Sequence, residues 1–88
     1  MTPGQFTAEL RRAGFAQSVE VEWPANGSLE EHSHPFESRA LILSGEITLC
    51  VDGRETRYGS GETFHLPHGT MHRERYGPAG VRYLVGRK

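Results

Sequence analysis

Residues 61–72 read GETFHLPHGTMH, a stretch with turn-forming residues at its start and near its end. Gly61 permits a tight turn at the start of the stretch, and Pro67 and Gly69 shape a reversal before its end. His72 then begins a strand, whose inward face can meet side chains from a distant part of the chain. The stretch therefore predicts two strands joined by a tight turn, with a histidine at the start of the second strand.

Short apolar runs separated by turn signals continue on both sides of this stretch. Asn26-Gly27 and Asp52-Gly53 are hairpin-turn dipeptides, in which a positive φ is easily adopted. Short strands at such spacing are typical of an all-β sandwich or barrel. The predicted strands cover residues 16–23, 40–43, 47–51, 55–58, 63–66, 72–76 and 81–85.

The first residues carry a different pattern, which predicts one short helix. Thr2-Pro3 is a start signal, and Phe6 and Leu10 are spaced for one helical face. No internal repeat or linker interrupts the rest of the sequence. We predict an N-terminal helical segment at residues 1–15, followed by one β-barrel domain at residues 16–88.

Composition and charge limit the partners of the chain. It has 88 residues and a formal net charge of -1, and its acidic and basic residues are interspersed. The sequence therefore predicts no binding of nucleic acid or of a membrane surface. The absence of a long apolar run and of a signal segment predicts a cytoplasmic protein. The expected partners are a small-molecule ligand and a second copy of the chain in a homodimer.

Two histidines one residue apart, His32 and His34, are the clearest chemical signal. On an extended strand, residues i and i+2 project from the same face, so both imidazoles can converge on one point. The imidazole of His72 would complete a set of three nitrogen donors for one divalent metal, with positions open for a ligand. The alternative is that the pair lies by chance in a polar surface loop.

Two spaced sets of residues frame these histidines. The first set is Gly27, His32, His34, Ser38 and Gly45. It resembles the first motif of the cupin superfamily, which has a glycine, His-x-His, a glutamate and a second glycine. The stretch between Gly45 and Gly61 has the compact length typical of small bacterial members, so the chain resembles a small single-domain bacterial cupin with the type-2 conserved barrel.

The second set resembles the second cupin motif, which has a glycine, Pro-x-Gly, a histidine and an asparagine. Here it is Gly61, Pro67, Gly69, His72 and Tyr76. The resemblance implies a small jelly-roll barrel, also called a double-stranded β-helix. It also implies one divalent metal ion, of zinc, iron, manganese, nickel or copper, held by His32, His34 and His72.

The chain departs from the cupin pattern at two positions. Ser38 stands where the motif has its glutamate, and Glu37 lies one position early, on the opposite face of a regular strand. Pro35 could reorient Glu37, so we leave open whether Glu37 replaces the missing carboxylate. Tyr76 stands at the asparagine position, which is not a ligand in the family, and it could lie near the site or at its rim.

The other polar residues are assigned outside the predicted metal site. His68 is expected to be exposed in the Pro-x-Gly turn, and His65 is not placed among the ligands. Arg39 or Arg73 would be the choice for holding a substrate carboxylate. The charged residues expected on solvated strand faces are Arg39, Glu46, Arg57, Arg73, Glu74 and Arg75.

Three classes of function remain open from the sequence. A three-histidine metal centre could serve a metal-dependent dioxygenase or isomerase that acts on a small molecule. The same site could belong to a non-catalytic module that binds or senses a small ligand. The chain could also be a structural, dimeric β-barrel. The sequence assigns no catalytic residue, since one fold hosts many chemistries.

Overall fold

The computed structural model describes residues 1–15 and 18–88, and it begins with the predicted helix. Helix α1 spans Pro3–Arg12. Thr2 caps it, because its side chain accepts a hydrogen bond from the backbone N–H of Gln5 while the Gln5 side chain accepts one from the Thr2 N–H. No helix among the described residues is long and apolar enough to span a membrane.

The rest of the described chain is an antiparallel β-sheet structure, which confirms the all-β prediction. The strands are β1 (Ser18–Trp23), β2 (Ser28–His32), β3 (Ser38–Val51), β4 (Arg54–Gly59), β5 (Thr63–Leu66) and β6 (His72–Arg87). Four of them follow the order β1-β6-β3-β4, while β2 pairs with β6 and β5 pairs with β3.

Two of these strands are longer than the sequence predicted. The runs 40–43 and 47–51 are parts of β3, and the runs 72–76 and 81–85 are parts of β6. The predicted breaks are irregularities of the β3–β6 ladder, whose register shifts twice between Ile42 and Ile47. The first two residues of the predicted strand 16–23 lie outside the described residues.

Gly45 explains why β3 continues through a predicted turn. Its φ is +75°, a left-handed conformation that favours glycine. A Cβ at this position would clash with the carbonyl oxygen of Gly80 and would lie 2.8 Å from the Gly80 carbonyl carbon. Glycine therefore lets β3 and β6 approach closely where both strands bend.

The interior is divided into two apolar clusters on opposite sides of β3. One fills the space between the strands and includes Ile42, Ile47 and Tyr83. The other joins the helix to the sheet, where Phe6 and Leu10 pack with Phe15 and Leu41. The helix thus covers one face of the sheet, and the first cluster lies inside the fold, next to the histidines.

Candidate metal centre

Four side chains converge at one end of the interior: His32, His34, His72 and Glu74. Each offers one ligand atom, and these four atoms all lie within 4.8 Å of one another. His32 is the last residue of β2 and is paired with His72, the first residue of β6. The ring centroid of His32 lies 4.3 Å from that of His72 and 4.9 Å from that of His34.

The structure brings the three predicted histidines together, but the backbone around His32 and His34 differs from the prediction. A regular strand through His32 and His34 was expected, but β2 ends at His32 after a register shift. His34 follows in an irregular segment. Its carbonyl accepts a hydrogen bond of 3.0 Å from the Gly69 N–H, which ties this segment to the turn before His72.

Glu74 corrects the sequence prediction. It was expected on a solvated strand face, yet it is 7% exposed and belongs to the cluster. Alternate residues of a strand share a face, and His72, Glu74 and Tyr76 are all buried, whereas Arg73 and Arg75 are exposed. Once His72 is assigned to the interior, the period of two therefore places Glu74 there as well.

Hydrogen bonds to main-chain carbonyls orient two of the imidazoles. His32 Nδ1 lies 2.6 Å from the Glu30 carbonyl oxygen, and His72 Nδ1 lies 2.9 Å from that of Thr70. A carbonyl only accepts, so each Nδ1 carries the proton and donates it. In the neutral rings both Nε2 atoms are then left with lone pairs. Second hydrogen bonds of this kind are typical of metal-binding histidines.

Both of these Nε2 atoms lie against the Glu74 carboxylate. Glu74 Oε2 is 3.0 Å from His72 Nε2 and 3.2 Å from His32 Nε2. The contact with His32 is short, but its geometry is not that of a hydrogen bond, and His32 Nε2 is buried without a hydrogen-bond partner among the described residues. His72 Nε2 lies within hydrogen-bonding distance of Glu74 Oε2, whereas His32 Nε2 is buried against the same oxygen without a hydrogen bond in the described part of the chain, and this set of nitrogen and oxygen donors fits a divalent metal.

The surroundings of the third imidazole favour its neutral form. Burial lowers the pKa of His34 below its usual value, and the nearby His32 and His72 lower it further. A neutral imidazole is the form that binds metal. The ring of His34 also stacks on Phe36, with 4.9 Å between centroids and 12° between planes, which restricts its orientation.

A buried tyrosine holds the second oxygen of Glu74. The Tyr76 hydroxyl donates a hydrogen bond of 3.0 Å to Glu74 Oε1, which leaves Oε2 for the histidines. Burial raises the pKa of Tyr76, and the Glu74 charge raises it further, so the hydroxyl remains a donor. The Trp23 ring stacks on Tyr76 at 5.4 Å between centroids. Tyr76 therefore lies beside the site rather than at its rim.

The structure places Ser38 and Glu37 in different surroundings. Ser38 is 6% exposed and faces the interior. Glu37 is turned away from the cluster, because its Oε2 accepts a hydrogen bond of 2.6 Å from His65 Nε2. Glu37 therefore does not replace the missing glutamate. His68 is exposed, as expected.

Residues 19–84 match the family described as "Cupin domain". The chain belongs to the cupin family. Its many cupin-like structural neighbours also confirm the predicted jelly-roll fold, with one short helix at the start. The cupin likeness thus covers β1 to most of β6, including all four residues of the cluster.

Two similar proteins are much longer than the part of them that this chain matches. Over 58 residues the chain is 29% identical to quercetin 2,3-dioxygenase of Bacillus subtilis (strain 168), covering 65% of this chain and 17% of that protein. It superposes on the DMSP lyase DddQ of Ruegeria pomeroyi DSS-3 with a TM-score of 0.72 and 29% identity, covering 81% of this chain and 36% of the lyase. The chain therefore spans much less than half of either relative.

A third similar structure shows the fold alone. It is a protein of unknown function from Rhizobium leguminosarum bv. viciae 3841, with a TM-score of 0.71 and 18% identity. The match covers 93% of this chain and 89% of that one.

The interior of this cupin contains a small cavity beside the cluster. Its space open to water-sized molecules is about 50 Å³. His34, His72 and Glu74 form one end, and Ser38 lies in its wall. Neither Arg39 nor Arg73, the arginines favoured from the sequence, lines it, whereas Arg87 does. Arg87 carries no motif signal, and its position depends on how the end of β6 pairs with β3.

Proposed function

We propose that this cupin holds one divalent metal ion on His32, His34, His72 and Glu74 and offers it to a small ligand in the adjoining cavity. The observation that carries the proposal is the convergence of the His32 and His72 Nε2 lone pairs on the Glu74 carboxylate. Both rings are fixed by carbonyls behind them. Imidazole and carboxylate donors suit zinc, iron, manganese, nickel and copper, so the donor set leaves the metal's identity open.

The charges of the site complement those of a divalent ion. Three neutral imidazoles and one carboxylate leave a single positive charge on the occupied site. When bound, the ion supplies Lewis-acid polarisation of an oxygen ligand. Two residues of the chain orient the ligands: Tyr76 holds Glu74 in place, and Phe36 restricts the His34 ring.

Metal titration of chelator-treated protein tests this proposal directly. We expect one divalent ion per chain, measured by calorimetry, and a cobalt(II) spectrum typical of nitrogen and oxygen ligands. His34→Ala should weaken binding, since it removes one donor. The matched control is His68→Ala, which removes an exposed histidine outside the cluster. Stoichiometric binding that His34→Ala leaves unchanged, or no binding at all, would contradict the proposed site.

A charge relocation tests whether Glu74 takes the place of the motif carboxylate. Glu74→Gln keeps the shape of the side chain but removes its charge, and we expect the metal affinity to fall about 10- to 100-fold. Adding Ser38→Glu to that variant should restore much of the loss, because position 38 faces the same cavity as His34 and His72.

The control for this relocation is Ser44→Glu in the Glu74→Gln background. Ser44 lies on the same strand as Ser38 but is exposed, so its carboxylate adds charge without entering the cavity. Equal recovery by Ser44→Glu and Ser38→Glu would show a general charge effect. Unchanged affinity in Glu74→Gln alone would remove Glu74 from the ligand set. Calorimetry with a single ion measures all four proteins.

A dioxygenase activity is the second candidate, favoured by the likeness to quercetin 2,3-dioxygenase. We do not extend that protein's substrate to this chain, because a cavity of about 50 Å³ is far smaller than a three-ring molecule. Oxygen consumption that depends on an added small-molecule substrate, measured with protein loaded with iron, manganese, nickel or copper, separates an oxygenase from a non-catalytic binding module. Binding without consumption favours the module.

A further inference from the structure

The walls of the cavity beside the cluster carry hydrogen-bond donors with no acceptor among the described residues. The Trp23 indole N–H donates to the Tyr83 hydroxyl oxygen at 3.1 Å. That hydroxyl still has its own proton to give, and burial raises the pKa of Tyr83, so the proton stays in place. Ser38, also in the wall, brings a second hydroxyl. Donors of this kind suit a ligand rich in acceptor oxygens.

Arg87 stands at the exposed side of the same cavity. Its Cζ lies 5.3 Å from the ring centroid of Phe36, and Phe36 stacks in turn on His34. The guanidinium is thus positioned by cation–π contact. On the same strand, Arg75 and Arg82 pair with Glu55 and Glu20, but Arg87 has no carboxylate within 4.0 Å in the described chain. Its charge is available to an anion.

The size of the cavity limits what that anion can be. One water-sized molecule needs about 10–15 Å³ of such space, so about 50 Å³ accommodates about three to five non-hydrogen atoms, and a carboxylate can extend beyond it at the exposed side near Arg87. The guanidinium lies at one side of the cavity and the proposed metal site at the other, and both bind oxygen atoms, so one short molecule with an oxygen at each end can contact both. An anion gains a charge-assisted hydrogen bond from Arg87 that a cationic molecule does not.

We propose that the ligand is a short monocarboxylate of about two to four carbon atoms with a second oxygen donor. Its carboxylate lies against Arg87, and its second oxygen reaches the histidine cluster. The inference rests on the proposed metal function, and it deepens that function by naming the ligand class. Arg87 is then a residue that determines specificity for the charge of the ligand, through hydrogen bonds between guanidinium and carboxylate.

The test uses cobalt(II)-loaded protein and three hydroxy acids, with the hydroxyl at increasing distance from the carboxylate: glycolate, 3-hydroxypropionate and 4-hydroxybutyrate. Each is titrated beside its neutral amide, by calorimetry and by the change in the cobalt spectrum. We expect at least one acid to bind about 10-fold more tightly than its amide. Arg87→Gln should weaken that acid about 10-fold and leave the amide unchanged.

The matched control is Arg82→Gln, which removes a paired arginine from the same strand and should leave both ligands unchanged. The cobalt affinity of Arg87→Gln is measured first, because the charge of Arg87 acts on His34, and each ligand is then titrated into cobalt-saturated protein so that ligand binding is compared at full metal occupancy. If cobalt binds but no acid exceeds its amide, or Arg87→Gln leaves the preference intact, the ligand class is wrong and the metal site stands. If cobalt does not bind, both proposals are overturned.

Discussion

Replacing His72 with alanine is expected to lower the metal affinity by more than about 100-fold, beyond the loss typical of residues that only orient a ligand. His72 is 1% exposed, donates through Nδ1 to the Thr70 carbonyl and directs Nε2 at Glu74. Alanine removes the donor and leaves a space that is shielded from solvent. Calorimetric titration of the chelator-treated variant measures the loss.

The matched control for His72→Ala is His65→Ala. His65 pairs with Glu37 outside the cluster, so its removal should leave the metal affinity unchanged. Thermal melting of both variants without metal separates binding from folding, because loss of a buried ring also costs stability. A folded His72→Ala protein that binds the ion as tightly as the original chain would place the metal elsewhere.

The sequence was sufficient for the fold class and for three of the four converging residues. The turn signals around Gly61 and Pro67 and the spacing of the histidines are local features, and they predicted the all-β fold and the positions of His32, His34 and His72. The long strands were missed for a physical reason. Gly45 reads as a turn in the sequence, but in the fold its positive φ serves a bend within β3.

Glu74 was missed although the signal for it was present. The period of two that was expected to join His32 to His34 instead joins His72 to Glu74 and Tyr76 within β6. Charge alone suggested a solvated face, because Glu74 lies between two exposed arginines. The role of Arg87 could not be predicted at all, since it depends on packing against Phe36. Dimerisation and cytoplasmic location stay predictions.

Gly45→Ala is expected to reduce the free energy of unfolding by about 3–5 kcal/mol, which places it among the largest effects of single substitutions. The left-handed conformation at φ +75° costs a side chain about 1–2 kcal/mol. The rest arises because the new Cβ would overlap the backbone of Gly80, which cannot move without separating β3 from β6. Urea unfolding, followed by circular dichroism, measures the change.

Gly61→Ala separates the cost of the left-handed conformation from the cost of the contact with Gly80. Gly61 has a similar φ of +85°, but a Cβ there would meet no atom within 4 Å. The free energy of unfolding of Gly61→Ala should therefore fall only by the cost of the left-handed conformation, about 1–2 kcal/mol. Equal losses at Gly45 and Gly61 would show that the close approach of β3 and β6 adds nothing.

The same pair of variants connects the strand contact to the metal site. An ion that binds only the folded chain stabilises it by an amount set by its concentration and affinity. In Gly61→Ala, the metal should add the same stability as in the original chain, because the site is untouched. In Gly45→Ala it should add less, since β6 carries His72 and Glu74 and must shift relative to β3. Equal stabilisation by metal in both variants would mean that the cluster is held by the β2–β6 pairing at His32 and His72 alone.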